Sequence, residues 1–103
     1  MGKAIVAVSI TPVGSGSPSV SAFVAKAEAV LRRAGDVRYE LGPMFTSMEG
    51  DLGRILELVQ EMQQAVFAAG AQRVSTVIKI DERRDRDTSM AHKVEAVRAH
   101  AAG

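Results

Sequence analysis

The sequence predicts an α+β fold: a ferredoxin-like βαββαβ sandwich, one antiparallel four-stranded sheet with two helices on one face, with an additional C-terminal helix. Three observations predict it. Short Val- and Ile-rich segments alternate with longer stretches of three- and four-residue apolar spacing, in the order β-α-β-β-α-β. Both long stretches end at a glycine, Gly35 and Gly70, each followed by a Val-containing segment. The chain has 103 residues, 47% hydrophobic and 24% charged, which suits one domain and one core. Residues 1–103 are therefore read as one domain, with 81–87 a charged loop and 88–100 a tail helix.

Lys3 to Ile10 (KAIVAVSI) is too short for an isolated helix and rich in Val and Ile, so it is a strand. Thr11 to Gly16 is a loop by its breakers. Ser17-Pro18 is read as a helix start, Ser as N-cap and Pro at the first helical position. Val20, Phe23, Val24, Ala27, Val30, Leu31 and Ala34 then line one face of an amphipathic helix that ends at Gly35. Val37, Tyr39 and Leu41 alternate with Arg38 and Glu40, the period of a half-buried strand. Gly42-Pro43 interrupts it as a short hairpin or bulged corner, and Met44 to Glu49 continues as the third strand. Asp51 caps a second helix whose stripe is Leu52, Ile55, Leu56, Val59, Met62 and Val66. Val74 to Ile80 is the fourth strand, and the last helix begins near Thr88 or Ser89.

Two helices cover only one sheet face, and a monomer is expected to make the other face polar. The strands here read as apolar at both parities. Ile5 and Ala7 lie opposite to Val6 and Val8, Val77 opposite to Ile78, and Phe45 opposite to Met44 and Met48. An exposed patch of that kind marks an interface, so the chain is expected to form a homo-oligomer through its sheet faces. A tail helix folded back over the sheet would achieve the same burial. The few polar residues in these strands either bond locally or converge with Glu49 on a pocket at a subunit seam.

Several function classes are excluded. The chain has no Cys, so disulfides, thiolate metal sites and Cys nucleophiles are impossible. The net charge of +1 gives no field to steer nucleic acid or an anionic membrane. Trp is absent, and four aromatics supply no base-stacking platform. No Asn is present, and no Arg follows the first strand, so an acylphosphatase-type site is absent. His92 and His100 lie two helical turns apart, a poor metal-ligand spacing, and no metal or other cofactor is expected. No apolar run reaches a membrane span. Met1-Gly2-Lys3 enters a strand directly, with no signal-peptide pattern and with Val6 where myristoylation favours Ser or Thr. A cytoplasmic location is the expectation. The run Asp81 to Asp87 holds four acids and three Arg; it reads either as a solvated, self-paired loop or as one from which Arg83 or Arg84 reaches a phosphate, a sulfate or a neighbouring subunit's carboxylate. These exclusions leave small-molecule binding or a structural oligomer; an enzyme is a third reading, with Glu49 the one candidate for a water-activating base.

Four segments carry a resemblance: Val8 to Gly14, Tyr39 to Met44, Thr46 to Asp51, and Ile78 to Asp85. They resemble the short, single-domain branch of the YkoF-like thiamine-binding family, over a span from Ala4 to about Val97. The resemblance implies a ferredoxin-like subunit and assembly into dimers and tetramers through sheet surfaces. It also implies non-catalytic binding of thiamine or its hydroxymethylpyrimidine part. The family pattern Pro-Met-x-Thr-x-x-Glu-Gly falls on Pro43, Met44, Thr46, Glu49 and Gly50, its Arg pair falls on Arg83 and Arg84, and its Asn falls where this chain has Gly42. On that basis Glu49 is expected to accept from an exocyclic amine. Ser9, Thr11 and Thr46 would bond ring nitrogens or a hydroxyl, and Tyr39 with Met44 and Met48 would form the walls. Arg83 and Arg84 would matter for phosphorylated ligands. A structural or regulatory oligomer that binds another protein or an anionic metabolite is the alternative.

Overall fold

The computed structural model describes residues 3–102. The Met1-Gly2 start, for which neither signal peptide nor myristoylation was expected, lies outside them. The elements follow the expected order. They are β1 (Lys3–Pro12), α1 (Ser21–Ala34), β2 (Arg38–Leu41), β3 (Thr46–Asp51), α2 (Leu52–Ala68), β4 (Val74–Glu82) and α3 (Met90–Ala102). The sheet order is β2-β3-β1-β4, with every neighbouring pair antiparallel.

Register sorts the side chains by face. Val6 pairs with Met48 and Ile80, Val8 with Thr46 and Ile78, and Met48 with Tyr39. This row therefore shares one face, because side chains directly opposite in a ladder point the same way. On that face Ala4, Val6, Val8, Ile10 and Met48 form the core with Ala27 and Leu31 of α1 and Ile55, Leu58, Val59, Met62 and Val66 of α2. Each of the larger side chains contributes roughly 1.5–3 kcal/mol by leaving water.

Helix ends follow local chemistry. Gly35 takes the left-handed conformation, φ 69°, and its N–H donates to the Leu31 carbonyl. Asp51 caps α2 by accepting from the Arg54 N–H at 2.9 Å. Ser89 caps α3 by accepting from the His92 N–H at 3.1 Å.

The start of α1 departs from expectation. The helix begins at Ser21, after Val20, and no side chain caps it. The Ser17 hydroxyl instead accepts from the Ser19 N–H at 3.2 Å, and the Ser15 hydroxyl donates to the Ser17 carbonyl at 3.1 Å. Such local bonds offer the backbone an alternative to helix. The helix starts only where the Val20 carbonyl accepts from Phe23 and Val24.

The helix-free face is a second correction. Met44 and Phe45 lie in the β2–β3 connection, ahead of β3. By register the helix-free face carries Ile5, Ala7 and Val77, but also Arg38, Glu40, Ser47, Glu49, Ser75, Lys79 and Asp81. Apolar character at both parities therefore holds along β1 and fails on β3. The tail helix covers part of β1. Met90 is 7% exposed, and with Val94 it borders a hollow floored by Ile5 and Ala7. Beyond that first turn α3 runs out exposed, with Val97 66% open.

Candidate functional site

The site begins with an unequal ladder. β1 pairs with β4 as far as Pro12↔Val74, but with β3 only as far as Val8↔Thr46. From Ser9 to Thr11 the β3-side edge of an interior strand is thus left open. The chain leaves β2 at Leu41 and re-enters the sheet at Thr46, so the connection 42–45 arches beside that open edge. Gly42 closes the arch by donating its N–H to the Phe45 carbonyl at 3.0 Å. A Cβ at position 42 would stand 2.4 Å from that oxygen, so this arch requires glycine.

Between the arch, the end of β1 and the first half of α1 lies a cavity of about 250 Å³. Val8, Ile10, Val20, Val24 and Met62 give it apolar walls, and Thr46 and Glu28 give it polar side chains; Ser9 and Thr11 border it from the open edge, their own side chains sharing by register the helix-free face with Val77 and Ser75. Thr46 is 7% exposed. Glu28 sits at i+4 from Val24 and i−3 from Leu31, on the flank of the buried stripe. Its side chain is 18% exposed and engaged at both oxygens. Oε1 accepts from the Arg32 guanidinium at 2.8 Å, and Oε2 accepts from the Tyr39 hydroxyl. That hydrogen bond, with burial and the carboxylate charge adding to it, raises the Tyr39 hydroxyl above its ordinary pKa. A carboxylate held by two donors at the rim of an apolar hollow is a fixed acceptor for a ligand amine.

The cavity brings together Ser9, Thr11, Met44 and Thr46 of the residues expected from sequence, and Tyr39 joins through Glu28. Met44 is 78% exposed on the arch. Glu49 stands elsewhere. It is three residues from Thr46, an odd separation, so it points to the opposite sheet face. There its Oε2 accepts from the Met90 N–H at 3.0 Å, and Oε1 lies 3.7 Å from Arg38 Nε. Glu49 thus holds the start of α3, where a carboxylate also complements the helix dipole.

Arg83 and Arg84 are also remote from the cavity. They follow Glu82, which pairs with Ala4, while the cavity edge begins at Ser9, about 17 Å further along the strand. Arg83 donates to both carboxylate oxygens of Asp85, at 2.8 and 2.5 Å, and holds that carboxyl down at about 2. Arg84 lies 3.7 Å from Glu82. An anion at this loop would have to compete with those carboxylates. No cluster of three or more potential metal ligands occurs among the described residues.

Residues 6–98 match the family described as thiamine-binding protein. The chain belongs to that family. Among its relatives, the YqgV protein of Bacillus subtilis is 41% identical over 100 residues, covering 94% of this chain and 96% of that one. A crystal structure of a hypothetical protein from Methanocaldococcus jannaschii superposes with a TM-score of 0.85 at 37% identity, covering 94% and 97% of the two chains. A Thermotoga maritima crystal structure superposes with a TM-score of 0.75 at 24% identity, covering 92% and 98%, a likeness of fold. No described helix of this family member is long and apolar enough to cross a membrane.

Glu28 is the functional candidate that sequence reasoning missed. The signal was available: a carboxylate at i, i+4 and i+7 spacing between Val24 and Leu31, inside an apolar stripe.

Proposed function

We propose that this chain is a cytoplasmic, ferredoxin-like subunit of a homo-oligomer that binds thiamine or its hydroxymethylpyrimidine part without catalysis. The observation that carries the reading is the cavity where the open edge of β1 faces the fixed Glu28 carboxylate. An aminopyrimidine presents an exocyclic amine beside ring nitrogens that accept hydrogen bonds. Glu28 accepts from the amine, while the Thr46 hydroxyl and the free backbone groups of residues 9–11 serve the ring nitrogens. Val20, Val24 and Met62 cover the ring faces, and Met44 closes over the mouth.

At about 250 Å³ the cavity is slightly below the roughly 300–1,000 Å³ usual for small-molecule pockets. It takes one ring, and the thiazolium end of thiamine extends to the mouth, where a neighbouring copy completes the enclosure. The distance to Arg83 and Arg84 argues that they read a diphosphate only across a subunit seam. Isothermal titration with thiamine, hydroxymethylpyrimidine and thiamine diphosphate tests the reading. It expects one site per chain and measurable affinity for the isolated pyrimidine. A stoichiometric protein partner, with no heat from any of the three compounds, would instead favour the structural or regulatory oligomer.

A further inference from the structure

We propose that the hollow between the helix-free face of the sheet and the first turns of α3 is a second binding site, and that it takes a free apolar α-amino acid. This site lies on the side of the sheet opposite Glu28 and is independent of the proposed thiamine site.

One row of side chains across all four strands builds it. Glu40 pairs with Ser47, Ser47 with Ala7, and Ala7 with Lys79, so the four share one face. The outer two are charged with opposite sign, and the inner two are small. The row is a trough with a carboxylate at one end, an ammonium at the other and a hydroxyl in its floor. Three strand spacings separate the ends, ~14 Å between Cα atoms, and two long side chains reach inward across that span to a small molecule between them. Ile5, two residues before Ala7 on the same face, continues the floor, and Met90 and Val94 of α3 stand over it. The hollow encloses about 360 Å³, more than the 250 Å³ beside Glu28 and within the roughly 300–1,000 Å³ of small-molecule pockets.

Charge selects the occupant. Asp81, two residues beyond Lys79 on the same face, pairs with Lys93 of α3, which leaves one surplus positive charge at the β4 end. Neither Lys79 nor Glu40 has an ion-pair partner among the described residues. The next row does not compete, because Glu49 is held by the Met90 N–H and lies beside Arg38. An anionic group therefore suits the Lys79 end, and a cationic donor suits Glu40 and the Ser47 hydroxyl. An α-amino acid carries both on one carbon. Its carboxylate turns to Lys79, its ammonium to Glu40, and its side chain lies over Ile5 beneath Met90 and Val94. That apolar floor and cover disfavour a polar side chain, which would lose water there without gaining a partner.

Three probes sharing one carbon skeleton test the assignment by NMR on the unaltered protein: L-leucine, 4-methylpentanoate, which lacks the amine, and 3-methylbutylamine, which lacks the carboxylate. L-leucine is expected to shift the Ala7 and Ser47 amides and the Met90 methyl group, saturating as one site per chain. Each analogue is expected to bind at least about tenfold more weakly, having lost one charged contact. Glu40 and Lys79 are both exposed, so Glu40→Gln and Lys79→Gln are expected to melt as the parent does. Glu40→Gln is expected to erase the advantage of L-leucine over 4-methylpentanoate, and Lys79→Gln its advantage over 3-methylbutylamine. No saturable shift with L-leucine, saturable shifts confined to the cavity beside Glu28, or equal affinity for the three compounds would overturn the proposal.

Discussion

In the proposed reading Glu28 is the residue on which recognition turns. Its two carboxylate oxygens are pinned by Arg32 and Tyr39, so it is presented to the cavity without further ordering. Glu28→Gln keeps the shape and an acceptor for Tyr39 but removes the charge. A hydrogen bond to a charged group contributes about 1.5–3 kcal/mol, so affinity for the aminopyrimidine is expected to fall about ten- to a hundredfold by calorimetry. Unchanged circular dichroism would show that the fold is retained. Glu49→Gln is expected to leave that affinity nearly unaltered, because Glu49 faces the other side of the sheet. Gly42→Ala tests the arch. Its Cβ would meet the Phe45 oxygen at 2.4 Å, and relieving that clash is expected to cost about 1–3 kcal/mol, read as a lower urea midpoint.

At the scale of elements, two polar residues that read alike in sequence are separated by the structure. Asp51 caps α2, and Asp51→Ala is expected to cost about 1 kcal/mol of unfolding free energy. Ser17 caps nothing, and Ser17→Ala is expected to stay within about 0.5 kcal/mol, as other surface changes do. The tail helix depends on two carboxylates. Glu49 accepts from its first N–H, and Asp81 pairs with Lys93. The Lys93 hydrogen bond and charge hold the Asp81 carboxyl below its ordinary value. A carboxyl whose folded value is depressed stabilises the docked state above its unfolded value near 3.8, and that contribution is lost as pH falls through the folded value. Docking of α3, followed by the NMR signal of the Met90 methyl group, is therefore expected to hold at neutral pH and to loosen slightly below pH 3.8, an exposed ion pair contributing little.

Across the whole molecule, element order and both glycine stops were legible because apolar period and left-handed caps are local properties. Ser17-Pro18 misled because serine hydroxyls bond as readily to nearby turns as to helix ends, and only tertiary packing chose. The site was half legible. Met44 and Thr46, which the family resemblance implied, stand at the cavity beside the backbone of Ser9 and Thr11 because a strand end, an arch and a helix converge. Glu49 failed by parity, visible in its odd separation from Thr46 once that segment is a strand. Glu28 was hidden by its type, since a charge within an amphipathic helix reads as solvated unless its position on the stripe is weighed.

The open edge of β1 beside Glu28 is a site that amide NMR reports directly. On titration with hydroxymethylpyrimidine, the signals of residues 9–11 and 42, 44–46 are expected to shift and saturate together at one equivalent, with those of Glu49, Arg83 and Arg84 unmoved. Shifts confined to the helix-free face or to residues 83–87 after β4, or no shift at saturating ligand, would contradict the account.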